Sequence, residues 1–164
     1  MKLLFALAVA LLFTGCAGYR LGAPQELPYR SVAVPVFQNK TLFPQLEAPI
    51  SNGIIRRFQA DGTLEVRSVA DADVVLTGVL TNYKRRPLRT LQTNTGTPRE
   101  YKLTITARIE ARDRAGKLLF EPVTLEGSAE TFIGTDLQSS EAQAVPLIAD
   151  DLAKQVVTVL TERW

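Results

Sequence analysis

The sequence predicts an α+β fold in which two helices pack on one face of a small sheet of about four strands, and three patterns carry that expectation. The stretch from Tyr101 to Arg112 alternates without interruption: Tyr101, Leu103, Ile105, Ala107, Ile109 and Ala111 fall on one side, and Lys102, Thr104, Thr106, Arg108, Glu110 and Arg112 on the other. Such alternation marks a strand with one covered and one wetted face. Two segments, Phe43 to Gln59 and about Ser140 to Trp164, repeat apolar residues at helical spacing. The order strand, helix, strands, helix then places a helix layer over a sheet layer.

Taken in order, the run Ser31 to Phe37 reads as the first strand, with Val32, Val34 and Val36 on one face. Pro35 cannot donate to a ladder, which places that strand at an edge or leaves its amide side free there. After the polar break Gln38 to Thr41, the stripe Leu46, Ile50, Ile54, Ile55 and Phe58 defines the first helix. Pro44 and Pro49 confine its start, and Asp61-Gly62 ends it. Thr63 to Val66 is either a short strand or a lead-in. Asp73 to Tyr83 is a strand with Val74, Leu76 and Leu80 on one side, and Lys84 to Pro98 reads as a polar connection. Asp113 to Gly116 is a tight turn, so the strand that follows pairs antiparallel. Leu118 to Ile133 alternates less cleanly, and Glu121-Pro122 points to a bulge or an edge. The second helix carries Ala142, Val145, Ile148, Ala149, Leu152, Val156, Val159 and Leu160 inward. Pro146 conflicts with a start at Ser139 or Ser140, so this helix either begins nearer Gln143 or is kinked.

The N-terminus is of another kind. Lys2, an apolar run to Phe13, then Thr14, Gly15 and Cys16 have the form of a secretory signal ending at a thiol. The run is shorter than the roughly 20 apolar residues that a spanning helix needs. Residues 1–15 are therefore expected to be a removable signal peptide, with Cys16 acylated as the new N-terminus. The alternative is an ordinary signal peptide followed by one free thiol. Residues 16–30, with Pro24 and Pro28, read as a lipid-anchored tether, and 31–164 as a single α+β domain.

Composition narrows the chemistry. The 164 residues contain no histidine and one cysteine. Imidazole and thiolate metal sites, disulfides and histidine-based triads are thereby excluded. With 19 basic and 17 acidic side chains, global charge argues neither for nor against nucleic acid, and any electrostatic partner must be held by a local cluster. That cluster is Lys84, Arg85, Arg86 and Arg89, with Arg99 and Lys102 at the start of the next strand. Pairing of the flanking strands gathers these cations near a hairpin tip, where arginine can grip phosphate or carboxylate bidentately. The bland reading is a solvated loop. Thr90, Thr93, Asn94, Thr95 and Thr97 could hydrogen-bond sugars, and Tyr83 and Tyr101 either stack on a ligand or pack the hairpin. Asp71 and Asp73 are better explained by the turn into a strand than by catalysis. Trp164 is expected to cap helix packing.

The segment Cys16-Ala17-Gly18-Tyr19-Arg20-Leu21, the Val-rich strand ending in Asn39-Lys40-Thr41, and Ala70-Asp71-Ala72-Asp73 leading to Tyr83 together resemble the LptE family of lipopolysaccharide-assembly lipoproteins of Gram-negative outer membranes. The resemblance implies a non-enzymatic, cofactor-free protein anchored through Cys16 in the periplasmic leaflet of the outer membrane. It implies a plug and assembly aid for an LptD-like β-barrel translocon, in contact with lipopolysaccharide and not with nucleic acid. The rival is a periplasm-facing lipoprotein activator of a peptidoglycan synthase, whose family also follows a Val-rich strand with an Asn-x-Thr break. A carboxylate-dependent glycan hydrolase is the third class, and it requires a facing acidic pair.

Overall fold

The computed structural model describes residues 27–90, 98–132 and 136–162. Cys16, the signal peptide, most of the tether, the segment 91–97 and Trp164 lie outside the described residues, as do the side chains of Arg89 and Arg99. The elements are β1 (Ser31–Ala33), β2 (Gln38–Asn39), α1 (Glu47–Asp61), β3 (Glu65–Val66), β4 (Val74–Thr90), β5 (Pro98–Asp113), β6 (Val123–Phe132) and α2 (Leu137–Glu162). They build a six-stranded mixed sheet in the order β3-β1-β4-β5-β6, with β2 adding to β4. The count exceeds the expected four because β2 and β3 are two-residue strands, too short to leave a periodic signal.

The first strand is divided. β1 ends at Ala33, Val36 is exposed, and Phe37 turns inward with 3% of its surface accessible. Pro35 sits in the gap between β1 and β2, where no ladder amide is lost. Nor does β1 lie at an edge, since it pairs in parallel with both β3 and β4. The Phe37 ring lies over Gly78 of β4 so closely that a Cβ there would overlap the ring carbons. Ser51 of α1 fixes the same turn by accepting the Phe37 N–H at 2.9 Å.

α1 follows the expected stripe: Leu46, Ile50, Ile54 and Phe58 are all buried. Gly62 stops it in the left-handed conformation, φ 74°, its N–H donating to the Phe58 carbonyl. α2 begins at Leu137, well before Gln143 and just ahead of Ser139 and Ser140. Asp136 accepts the N–H groups of Gln138 and Ser139 at 3.0 and 3.1 Å, and this cap starts the helix before Pro146 has any say. Pro146 therefore lies inside α2. Having no N–H, it cannot bond the Ala142 carbonyl. Ala142, expected inward, is exposed, and the inward position in that turn belongs to Glu141.

Glycines set the layer spacing. A Cβ on Gly53 of α1 would lie 2.8 Å from the Ala149 Cβ of α2, and one on Gly127 of β6 would lie 2.6 Å from the Ile148 carbonyl. α2 thus rests directly on β6. It also covers part of the open edge of that strand: Asp151 accepts the Ser128 N–H at 2.8 Å and Gln155 donates to the Glu126 carbonyl at 2.8 Å. Leu27 and Tyr29 pack against the core just before β1. Among the described residues, no helix is long and apolar enough to cross a membrane.

Candidate functional site

The polar connection expected from Lys84 to Pro98 is largely strand: β4 runs on to Thr90 and β5 begins at Pro98. Beyond Leu80 the former pairs only with β5 among the described residues, because β1 and β2 reach no further along it. This free side is where Pro87 is tolerated, since a proline there removes no bond from a second neighbour. The basic residues therefore stand on a pleated ribbon and alternate between its faces.

A register shift between Leu80 and Asn82 decides which residue takes which face. Thr81 is the extra residue of a bulge, and a bulge reverses the phase of every side chain beyond it. Before it, Val74, Leu76 and Leu80 point into the core; after it, Tyr83 and Arg85 stand on the helix side, opposite Ile105 and Leu103. Asn82, Lys84 and Arg86 stand on the open side, opposite Thr106, Thr104 and Lys102. The cluster that looked contiguous in sequence is split in two.

On the helix side, Glu141 is the organising group. It is 7% exposed, and its Oε1 accepts both the Tyr83 hydroxyl and Arg85 Nη1 at 3.0 Å. Arg85 also lies over the Tyr101 ring, 5.7 Å from its centroid, while Tyr83 stacks at a tilt on Phe43 at 4.5 Å. Burial, and then the hydrogen bond and charge of Glu141, push the Tyr83 phenol well above the usual tyrosine range. Both tyrosines thus pack the hairpin. Glu141 is the residue sequence reasoning missed, although its position was legible: it stands four before Val145 and seven before Ile148, an acid on the core stripe.

On the open side, Lys84, Arg86 and Lys102 border a shallow cleft of about 390 Å³ that Asn82, Thr104 and Thr106 also line. Arg86 and Lys102 are direct cross-strand partners, a like-charge pair that weakens a hairpin rather than stabilising it. Among the described residues, none of the three cations is in an ion pair with a carboxylate. The far margin is acidic, with Glu126 and Glu130 on β6 opposite Thr106 and Lys102. Positive charge therefore lies along β4 and β5. Arg89 and Arg99 belong to the same two strands by their backbones.

The remaining candidates are structural. Asn39 donates to the Phe43 carbonyl at 2.8 Å and accepts the Thr41 N–H at 3.0 Å, so Asn39-Lys40-Thr41 folds the turn before α1. Asp73 accepts from the Ser31 hydroxyl at 2.8 Å and the Arg30 N–H at 3.1 Å, with Arg114 3.3 Å away. The Ser31 hydroxyl first, then the Arg30 N–H and the Arg114 charge, hold its carboxyl below the usual range. Asp71 accepts from Ser68 in the turn before β4.

No curated protein matches the sequence. Among solved structures, a minor lipoprotein from Acinetobacter baumannii is similar at 20% identity and TM-score 0.59, covering 84% of this chain and 94% of that one. A hypothetical protein from Chlamydia trachomatis is similar at 15% identity and TM-score 0.54, covering 81% and 96%. Lipoprotein B from Nitrosomonas europaea follows at 17% and 0.50, covering 89% and 90%. At these identities the likeness is one of fold. The sequence itself matches the lipopolysaccharide-assembly profile from residue 29 to residue 160, through both helices and every strand described above, and the chain belongs to the LptE family.

Proposed function

We propose that this protein is an outer-membrane lipoprotein of the lipopolysaccharide transport machinery, anchored through Cys16 in the periplasmic leaflet. It seats in an LptD-like β-barrel translocon as a non-enzymatic plug and assembly aid, and it touches lipopolysaccharide through the open face of the β4–β5 hairpin. The observation that carries the reading is that face, where Lys84, Arg86 and Lys102 stand together without carboxylate partners among the described residues. Lipid A carries phosphates and the inner sugars carry carboxylates, and such groups are bound by charge-assisted hydrogen bonds from lysine and arginine. Asn82, Thr104 and Thr106 add neutral donors and acceptors beside it. Family membership supplies the context of lipopolysaccharide assembly.

Arg85, first grouped with the ligand cations, belongs to the helix side in this reading, and Arg89 and Arg99 remain candidates for the same contact by their place in β4 and β5. Two experiments test it. Detergent extraction of outer membranes is expected to recover the protein bound to a large barrel, and release as a free monomer contradicts the plug role. Labelled palmitate is expected to enter the wild-type chain and not Cys16→Ser; an unlabelled wild type removes the anchor.

A further inference from the structure

The cationic face is held in place from behind. Beyond Thr81, the helix side of β4 carries no aliphatic residue before Leu88: the sequence reads Asn82, Tyr83, Lys84, Arg85, Arg86, Pro87. The fully buried side chains of β4 therefore stop at Leu80, and beyond it Tyr83 packs half-buried on Phe43. What ties this part of the strand to α2 is one carboxylate oxygen of Glu141, accepting at 3.0 Å from Tyr83 and at 3.0 Å from Arg85, residues of the same face two apart. The ladder to β5 sets which residues face inward, and the two bonds to Glu141 hold that face down against α2. Fixing Tyr83 and Arg85 inward also fixes Lys84 and Arg86 outward.

On these grounds, and resting on the reading of the open face given above, we infer that Glu141 is a positioning residue for lipopolysaccharide contact. It never meets the ligand: it lies on the covered face of the ribbon, and the cations it presents lie on the other. It also removes Arg85 from the set of available cations by pairing with it.

The sign of one substitution separates positioning from simple electrostatics. Glu141→Ala removes a negative charge of α2 that lies beside the hairpin, so charge alone strengthens the binding of a polyanion. Positioning demands the opposite, because Lys84 and Arg86 lose their fixed direction. The experiment titrates purified lipopolysaccharide against wild type, Glu141→Ala and Glu141→Gln, with hydrogen exchange followed on each protein. Glu141→Ala is expected to bind roughly five- to tenfold more weakly, the effect of one lost hydrogen-bonded anchor. Faster exchange is expected in residues 82–88 and 100–106 but not in 74–80. Glu141→Gln keeps an acceptor for Tyr83 and Arg85 and is expected to recover most of the affinity.

Equal or tighter binding by Glu141→Ala overturns the inference, as does exchange that rises uniformly along β4. If the wild type itself fails to bind lipopolysaccharide, the proposed ligand is wrong, and the exchange pattern alone then decides whether Glu141 fixes the ribbon.

Discussion

The two halves of β4 are built on different physics. From Val74 to Leu80 the strand is held by exclusion of water: Val74, Leu76 and Leu80 are fully buried, β1 and β2 flank it, and Phe37 fills the space that Gly78 leaves. From Asn82 onward it is held by its ladder to β5, by Tyr83 packed on Phe43 and by hydrogen bonds to one buried acid, and its outward Lys84 and Arg86 make no ion pair with a carboxylate among the described residues. A single bulged residue, Thr81, separates the two. The proximal half secures the fold, and the distal half can accept charges that a core would reject because it was never part of the core.

The strongest way to break the comparison is in the proximal half. Phe37→Ala is expected to cost about 3–5 kcal/mol, the range for deleting a buried aromatic ring, as read from urea denaturation. Gly78→Val forces a side chain into the ring and is expected to cost about 1–3 kcal/mol. Because the two substitutions relieve each other, the double variant is expected to be less destabilised than their sum. Additive losses would show that Phe37 and Gly78 are not packed as described.

Deleting Thr81 attacks the boundary itself. Without the extra residue Asn82 follows Leu80 in plain alternation and keeps its place opposite Thr106, so Lys84 and Arg86 stay on the open face and lipopolysaccharide binding is expected to survive. Deleting Asn82 as well turns Lys84 and Arg86 toward the helix side, and binding is expected to be lost, with hydrogen exchange rising in the distal half alone. Retained binding in the double deletion would mean that the cations do not act from one face.

Smaller effects arise at the far end of the sheet. The carboxyl of Asp73 is lowered by the Ser31 hydroxyl first, and a lowered carboxylate stabilises the fold above its unfolded value. That contribution is lost as pH falls through the acid range, so Asp73→Asn is expected to flatten the acid limb of the stability curve while leaving lipopolysaccharide binding intact. Tyr83 works in the opposite direction. Its raised phenol contributes stability that is present below the ordinary tyrosine value and lost as pH climbs through the folded one. Ultraviolet titration is expected to show one tyrosine ionising late, and to return it toward the others in Glu141→Ala.

How much of this was visible in the sequence follows from the same division. The stripe Leu103, Ile105, Ala107, Ile109, Ala111 was legible because each residue reports its own environment through a period of two. The α1 stripe and its Gly62 stop were legible for the same reason. The bulge was not, because an extra residue exists only relative to a partner strand, and no local pattern around Thr81 encodes it. Arg85 and Arg86 look alike in sequence, and only the pairing with Leu103 and Lys102 tells them apart. The early start of α2 was hidden because Pro146 argued against it, while the Asp136 cap ten residues earlier was overlooked.

The most direct test of the account compares those two neighbours. Arg85→Ala and Arg86→Ala, titrated with lipopolysaccharide at low and high salt, are expected to diverge: Arg86→Ala binds more weakly with a shallower salt dependence, while Arg85→Ala keeps the wild-type salt dependence and loses thermal stability. Equal losses of affinity and of salt dependence in both variants would contradict the assignment of the two arginines to opposite faces with different tasks.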